Sequence, residues 1–293
     1  MEKKVTLGLC VKNGSRVVKT AFESISIQDY PHNLMKLVIV DNGSTDDTLS
    51  LISDFAQKTD IPILITSSKG KGLAATRQIA LDYAEGDYIL WVDDDLVLNK
   101  DYVRNQICFM EKNDKVGAAR GFYNNFSNES VLDILDFLFL LQPKKINYIG
   151  TGGSIFRLKA LKKVGGFDTK IRGAGEDIDI SLRIMKSGWI LATNTSARLH
   201  NRQLKTLKVL WKKNLGYGYA NHFLYQKHKD LQIILRFFPP FTLLSGTKMA
   251  GKVYKLVGMR KVFVIPVINF FIISAQGLGF IRAQMDGYGP SFT

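Results

Sequence analysis

Apolar residues in the first third of the chain fall into short unbroken runs separated by polar stretches of helical length. Val5–Val11 is one such run, Leu37-Val38-Ile39-Val40 another, Ile61–Ile65 a third and Tyr88–Val92 a fourth. Runs without a polar interruption suit strands buried on both faces, as parallel strands are. Between them, Ser15 is placed to cap a helix reaching about Gln28. The turn Asp41-Asn42-Gly43-Ser44-Thr45 feeds a helix through about Lys58, with Ser44 or Thr45 as its cap. A third helix is expected from about Leu73 to Ala84. Strand and helix in alternation predict right-handed crossovers and a largely parallel sheet. Ligands of such sheets bind beyond the carboxyl ends of the strands, where Asp41 and Asp93-Asp94-Asp95 stand.

The pattern is less regular afterwards. Asn147–Arg157 reads as two strands flanking a Gly150-Thr151-Gly152-Gly153 turn, and Val131–Leu141 as an apolar helix. A helix is expected from about Asp177 to Lys186, stopped by Gly188, and another from near Gln203. Leu231–Leu244 is apolar around Pro239-Pro240. Val262–Ile281 carries no charge over a length that reaches the minimum for a membrane span, with Pro266 expected to kink it. Lys248, Lys252, Lys255, Arg260 and Lys261 precede it, as a basic collar on the cytoplasmic side of a membrane would. A core helix and an interfacial helix are the alternatives. The organisation expected is a catalytic domain over 1–225, with halves of about 1–100 and 101–225, and a helical membrane-associating region over 226–293.

Charge sharpens this picture. Lys plus Arg number 40 against 26 Asp plus Glu, a net charge of +14. Such an excess attracts phosphorylated ligands or an anionic membrane. No recognition helix or aromatic-basic sheet motif accompanies it, so no nucleic-acid partner is expected. Two cysteines, Cys10 and Cys108, are too few for a disulfide framework and point to a reducing compartment. The run after Met1-Glu2-Lys3-Lys4 is too short for a signal peptide. The location expected is the cytoplasmic face of the cell membrane, or else the cytoplasm.

Three segments carry candidate chemistry. Asp93-Asp94-Asp95 places three mutually repelling carboxylates after a buried strand, a state that a hard cation such as Mg2+ or Mn2+ relieves. The alternative is a solvated acidic turn capping the next helix. Asp41 at a strand end suits a base or ribose edge, and the turn after it offers backbone N–H groups to an anion. In Gly175-Glu176-Asp177-Ile178-Asp179, the apolar residues Ile178, Leu182 and Met185 share a helical spacing. Glu176 and Asp177 then lie at the helix start, where the dipole favours ionised carboxylates. A carboxylate there would serve as a general base, or merely complement the dipole.

Together these segments resemble the family 2 glycosyltransferases over roughly residues 4–222. The resemblance implies an α/β fold of the GT-A type, a doubly wound mixed sheet of Rossmann-like character, followed here by the helical C-terminal extension. The first strand into Asn13 is similar to the family's opening motif, although Lys12 replaces an uncharged residue. Asp41–Thr48 is similar to its Asp-Gly-Ser-Thr-Asp turn, which implies that Asp41 contacts the nucleotide. Arg77 stands at the family's Ala-Arg-Asn, and Asp93 and Asp95 match its Asp-x-Asp. Gly152-Gly153-Ser154 with Arg157 resembles the acceptor-side strand. Glu176-Asp177 matches the acidic pair whose second member is the base. The implied site has Asp177 as base, and Asp41, Arg77, Asp93, Asp94, Lys71 and Asn13 on the nucleotide sugar. Asp95, Asp93 and His200 would hold a divalent metal, Mn2+ or Mg2+. The implied reaction is inverting transfer from a nucleoside diphosphate sugar, UDP favoured, to a saccharide or lipid-linked acceptor. A polyprenyl-phosphate acceptor is the alternative. The Gln-x-x-Arg-Trp motif of processive synthases is not evident.

Rival readings are weaker. Gly70-Lys71-Gly72-Leu73-Ala74-Ala75 fits a dinucleotide fingerprint, but follows the third strand instead of the first. That counts against an NAD-dependent oxidoreductase. A nucleotidyltransferase would carry a Gly-rich basic loop after its first strand, of which Asn13-Gly14-Ser15-Arg16 is a poor version. A non-catalytic membrane-surface scaffold is opposed by the retained Asp93, Asp95 and Asp177.

Overall fold

The computed structural model describes residues 3–123, 148–171, 173–201, 206–228, 239–258 and 260–287. The expected helix over 131–141 and the apolar stretch up to Phe238 lie outside the described residues. Gln203 does too, and the helix expected near it begins at Leu207.

The four apolar runs form β1 (Val5–Val11), β2 (Met35–Asp41), β3 (Ile63–Ser67) and β4 (Tyr88–Asp93). The helices between them are α1 (Val18–Ser26), α2 (Thr48–Ala56) and α3 (Leu73–Asp82). Next come β5 (Leu96–Leu98), α4 (Tyr102–Lys112), β6 (Val116–Tyr123), β7 (Ser154–Arg157) and α5 (Leu158–Lys163). The chain continues through α6 (Glu176–Lys186), β8 (Ile190–Asn201), α7 (Leu207–Lys227), α8 (Pro239–Val257) and α9 (Ile265–Met285).

The described strands make one eight-stranded sheet in the order β3-β2-β1-β4-β7-β6-β8-β5. β1 pairs in parallel with β2 and β4, and β2 with β3. β7 runs antiparallel to both β4 and β6, and β5 antiparallel to β8, so the sheet is mixed. From β1 the chain winds outward to β3 and then returns to place β4 on β1's other side. That reversal opens a crevice at the carboxyl ends of β1 and β4.

β2 shows why the runs are continuous. Leu37 and Ile39 join a core with Val18, Phe22 and Ile52 from α1 and α2, where Phe22 stacks on Phe55 at 4.2 Å. Val38 and Val40 join the opposite core with Ala80 of α3 and Ile180 of α6. A strand covered on both faces favours apolar side chains at alternate and intervening positions alike, and a polar one such as Thr6 of β1 is admitted where its hydroxyl finds a partner, here Glu85 O.

Several local expectations are corrected. Ser15 does not cap α1, whose N-cap is Val17 without a side-chain bond; Ser15 N instead donates to Asp46 Oδ2 at 3.2 Å. Neither Ser44 nor Thr45 caps α2, whose N-cap is Asp47. Both are drawn to Asn13 instead, since Ser44 Oγ accepts from Asn13 N and Thr45 N donates to Asn13 Oδ1. Of the two strands expected around Gly150–Gly153 the second forms as β7, and the described residues before the turn, 148–150, are irregular. Pro266 does not kink a long helix. It sits in the first turn of α9, where its missing N–H costs nothing, and a 3-10 turn over Arg260–Val264 precedes it.

The chain comprises two compact units, one of residues 1–124, 143–170 and 176–203, the other of 125–142, 171–175 and 204–293. In the second unit α7 and α9 touch backbone to backbone. A Cβ on Gly218 would lie 1.9 Å from Gln276 O, and one on Gly279 2.0 Å from Leu215 O. Gln276 Nε2 donates to Asn214 Oδ1 at 2.8 Å across the same pair. The other side of α9 presents Val267, Phe270, Leu278, Ile281 and Met285 outward. Val262–Met285, which contains an 18-residue window of mean hydropathy 1.9, is long and apolar enough by length and composition to cross a membrane.

Candidate active site

The loops leaving β1 and β2 lock onto each other. Asn13 adopts a left-handed φ of 54°, which Asn tolerates better than most residues, and so reaches Ser44 and Thr45 with both backbone and side chain. Asp41 is 4% exposed, and its Oδ2 accepts from Gly43 N at 3.0 Å and Ser44 N at 3.1 Å. Asp46 accepts from Ser15 N and from both the backbone and the hydroxyl of Thr48, which keeps its carboxyl well below the usual range. Asn42 reaches the next loop, where its Oδ1 accepts from Ser68 Oγ at 2.8 Å and Gly72 N at 3.3 Å. The loop carrying exposed Lys71 is thereby tied to the end of β2.

Arg77 projects from α3 into a nest of acids. Its guanidinium donates through NH1 to Glu176 Oε1, the first residue of α6, and through NH2 to Asp93 Oδ1 at 3.2 Å. Arg77 is 4% exposed, Glu176 3%, and the guanidinium lies 5.9 Å from the Trp91 ring centre. Burial opposes the guanidinium's charge, but Glu176 and Asp93 outweigh it and hold Arg77 more firmly protonated than usual. Burial raises the pKa of Glu176 against the pull of Arg77, and raises Asp177 in the same way. Asp177 follows Glu176 and is half-buried, and its Oδ2 would lie 3.8 Å from a Cβ on Gly150. Cys10, paired in register with Asp93, faces the same charges, and burial pushes its thiol up to about 12.

Asp94 and Asp95 form the turn between β4 and β5. Burial, then Asp95 and Asp93, push Asp94 up to about 7. Its Oδ2 lies where a Cβ on Gly14 would come within 2.4 Å, so the acidic turn abuts the end of β1. His200, half-buried on β8, pairs in register with Val97, two positions beyond Asp95. Among the described residues no group of three or more His, Cys, Asp or Glu side chains could by itself hold a metal ion. A divalent cation that shares its coordination with a diphosphate needs only one or two protein carboxylates. The crowded carboxylates fit such a shared site and do not form a closed cage.

The structure thus gathers Arg77, Asp93 and Glu176 into one network, with Asp177 adjoining and Asp94 beside the β1 loop. Asp41 and Asn13 organise the loop between β2 and α2. Among the described residues, Lys71 and His200 make no hydrogen bond or ion pair with that network. Arg157, at the end of the strand that resembles the family's acceptor-side strand, donates to Tyr88 Oη at 3.0 Å and Met110 O at 3.0 Å and so braces β7 against its neighbours. Sequence reasoning missed Glu176 as Arg77's partner, Asn42 as the loop tie and Cys10 as a neighbour. No local signal marks Asn42, because an Asn before Gly normally bonds within its own turn, whereas here it reaches Ser68 and Gly72.

Comparison with known proteins agrees with this geometry. Residues 88–278 match the family description "Glycosyl transferase family group 2". The chain is 28% identical over 100 residues to the poly(ribitol-phosphate) beta-N-acetylglucosaminyltransferase TarS of Staphylococcus aureus, which covers 34% of this chain and 18% of TarS. It is 22% identical to the probable glycosyltransferase YdaM of Bacillus subtilis over 95% of this chain and 69% of YdaM. It is 25% identical to the poly-beta-1,6-N-acetyl-D-glucosamine synthase of Staphylococcus epidermidis over 79% of this chain and 56% of that one. The chain therefore spans less than two thirds of several of these relatives, TarS above all. In fold it resembles the mannosyltransferase PcManGT of Pyrobaculum calidifontis, solved with GDP-Man and Mn2+. The TM-score is 0.73 at 17% identity, covering 98% of this chain and 88% of that one. A TarS fragment solved with UDP-GlcNAc gives 0.53 at 13% identity, covering 97% and 91%. The likeness to these solved transferases, with the mixed eight-stranded sheet, places the fold in the GT-A class, and the match of residues 6–165 to "Glycosyl transferase family 2" makes this chain a member of that family.

Proposed function

We propose that this protein transfers a sugar from a nucleoside diphosphate sugar, UDP favoured, to an acceptor hydroxyl with inversion at the anomeric carbon. The observation that carries the reading is the meeting of Asp93, from the end of β4, with the first turn of α6 through Arg77. Asp177 takes the proton of the acceptor hydroxyl as that oxygen bonds to the anomeric carbon. The bond from that carbon to the diphosphate oxygen breaks in the same displacement, and its electrons leave with the nucleoside diphosphate. Asp41 and Asn13 shape the loop that receives the nucleoside, Asp93 and Asp94 face the donor, and Lys71 adds positive charge near it. Asp95 and Asp93, with His200, would hold Mn2+ or Mg2+ jointly with the diphosphate. When bound, such an ion neutralises charge on the leaving group. A base of this kind contributes about 10²–10⁴-fold in rate.

The relatives support the donor class, since TarS is named for N-acetylglucosamine transfer and PcManGT was solved with GDP-Man and Mn2+. A saccharide or a lipid-linked glycan is the acceptor proposed, with a polyprenyl phosphate as the second reading. The outward apolar side of α9 and the basic residues Lys248, Lys252 and Lys255 before it favour a cytoplasmic membrane surface as the place of action. The domain division at about residue 225 belongs to the same reading.

The test is thermal denaturation with UDP, GDP, dTDP and NAD, each with and without Mn2+. A ligand of the native state raises its stability by mass action. A metal-dependent rise with one nucleoside diphosphate, lost in Asp95→Ala, is the expected result. A rise with NAD alone, indifferent to Mn2+, would overturn the reading. Partition of the full chain with anionic vesicles tests the membrane part, and a chain that stays in the supernatant at low salt refutes it.

A further inference from the structure

Arg77 sits where donor-binding positive charge was expected, yet its two terminal nitrogens are committed to Glu176 and Asp93 and the side chain is 4% exposed. A diphosphate would have to break both pairs to reach it. The three residues come from different elements, Arg77 from α3, Asp93 from the end of β4 and Glu176 from the start of α6. The segment leading into α6 includes Gly173 and Gly175, at φ of 83° and 97°, left-handed values that glycine adopts without strain. Glu176 Oε2 and Arg77 Nε are buried without a hydrogen-bond partner among the described residues. An apolar pair of similar size would avoid that cost, so stability alone does not explain the pair.

We propose that Arg77 and Glu176 form a positioning pair: one buried guanidinium holds the Asp93 carboxylate and the first turn of α6 in fixed relation. Asp177, next to Glu176, is thereby set against the donor that Asp93 faces. The inference rests on Asp177 as the base, but the pair's own effect is separable from it. Neither Arg77 nor Glu176 touches the reacting atoms. Their role is to keep the base within the distance at which proton transfer and displacement coincide. A misplacement of about 1 Å in such a constellation costs about 10²-fold in rate.

The experiment compares the full-length parent with Glu176→Gln, Arg77→Lys, the double variant Arg77→Met/Glu176→Met, and Asp177→Asn. Binding of UDP and of GDP with Mn2+ is read by calorimetry. Turnover is read as nucleoside diphosphate release from UDP-N-acetylglucosamine and GDP-mannose, and Tm by thermal denaturation. Glu176→Gln and Arg77→Lys are expected to lower kcat by about 10²-fold while nucleotide Kd changes less than about threefold. In the double variant the unpaired buried charges are gone, so Tm should recover towards the parent while kcat stays low. Recovery of kcat together with Tm would reduce the pair to a structural role and overturn the proposal. A nucleotide Kd that weakens as much as kcat/KM falls would make Arg77 a donor ligand and overturn it too. Asp177→Asn separates the two readings: if it keeps its turnover, the base assignment fails, while the kcat loss at Arg77 and Glu176 still judges the pair. A parent that releases neither diphosphate counts against the transferase reading itself. In that case, equal nucleotide affinity in the parent and the double variant supports the separation of pair from donor, and unequal affinity refutes it.

Discussion

Gly152 offers a direct test of whether the position of Asp93 matters. A Cβ built there would lie 2.3 Å from Asp93 Oδ2 and 3.1 Å from its Cγ. Ordinary contact begins at 3.4 Å, so the carboxylate oxygen must recede by about 1.1 Å. The backbone at Gly152 does not adopt a left-handed φ, so an alanine meets only this steric demand. The carboxylate cannot move freely, because Oδ1 is held by Arg77 NH2 at 3.2 Å. Gly152→Ala should therefore displace Asp93 by about 1 Å and strain its bond to Arg77, for a loss of about 10²-fold in kcat/KM. The assay is nucleoside diphosphate release from the donor over a range of donor concentrations, with circular dichroism and Tm to show that the fold persists. Gly150→Ala is the control, since its nearest neighbour would be Asp177 Oδ2 at 3.8 Å, an ordinary contact that leaves Asp93 untouched. Nucleotide affinity should fall in Gly152→Ala and hold in Gly150→Ala. A Gly152→Ala protein with kcat/KM within threefold of the parent would show that the position of Asp93 is irrelevant to turnover.

Three further outcomes are expected. Gly216→Ala in α7 and Gly251→Ala in α8 each add a methyl group that meets nothing within 4 Å, so each should raise stability by about 1 kcal/mol in urea denaturation. Asp46 is hydrogen-bonded as a carboxylate, so its folded pKa lies below the unfolded 3.8 and its stabilisation is present above that value. The urea midpoint of Asp46→Asn should therefore lie below the parent's from pH 8 to 5, with the gap closing as pH falls below about 3.8. Cys108 is exposed, whereas the Cys10 thiol is pushed up to about 12, so iodoacetamide at pH 8 should label Cys108 and spare Cys10 in a mass spectrum of the native protein.

The parallel half of the sheet was legible because burial on both faces leaves a plain mark, a run dominated by apolar residues at successive positions. β1, β2 and β4 fall within a residue or two of their expected limits. β5 has only three residues, and β6 contains Gly117, Arg120 and Gly121, so neither shows that mark. Gly121 is there because Tyr102 Oη would stand 2.0 Å from a Cβ at that place, a constraint from a residue nearly twenty positions away. The caps failed for a related reason. Ser15, Ser44 and Thr45 all had suitable chemistry for a cap, but the facing loop supplied competing partners, the Asp46 carboxylate for Ser15 and the backbone N–H and side-chain amide oxygen of Asn13 for Ser44 and Thr45. Local rules rank what a residue can bond within its own turn, and at the carboxyl ends of a parallel sheet the nearest partner belongs to another loop.

The same distinction governs the site. Asp41, Asp93 and Asp177 were legible because each stands at an element boundary where a carboxylate needs a reason. The motif suggests Arg77 as a cation near the donor, and the structure sets it between Asp93 and Glu176, but the sequence carries no sign of where that charge is spent. Glu176 lies 99 residues further along the chain, and the pairing exists only because α3 and the start of α6 meet beside the end of β4. Electrostatics makes the difference consequential. An exposed arginine would attract a diphosphate, whereas one buried between two carboxylates presents little net charge to the crevice and mainly fixes geometry. The acidity that remains at the crevice, Asp93 through Asp95 with Asp94 raised to about 7, is then not neutralised by Arg77 alone. A dianionic diphosphate entering there meets carboxylates, and its binding is favourable only when a cation accompanies it. On the function proposed above, burial of Arg77 would make metal dependence of donor binding a consequence of the fold. The strength of that dependence should fall in any variant that frees the guanidinium from Glu176.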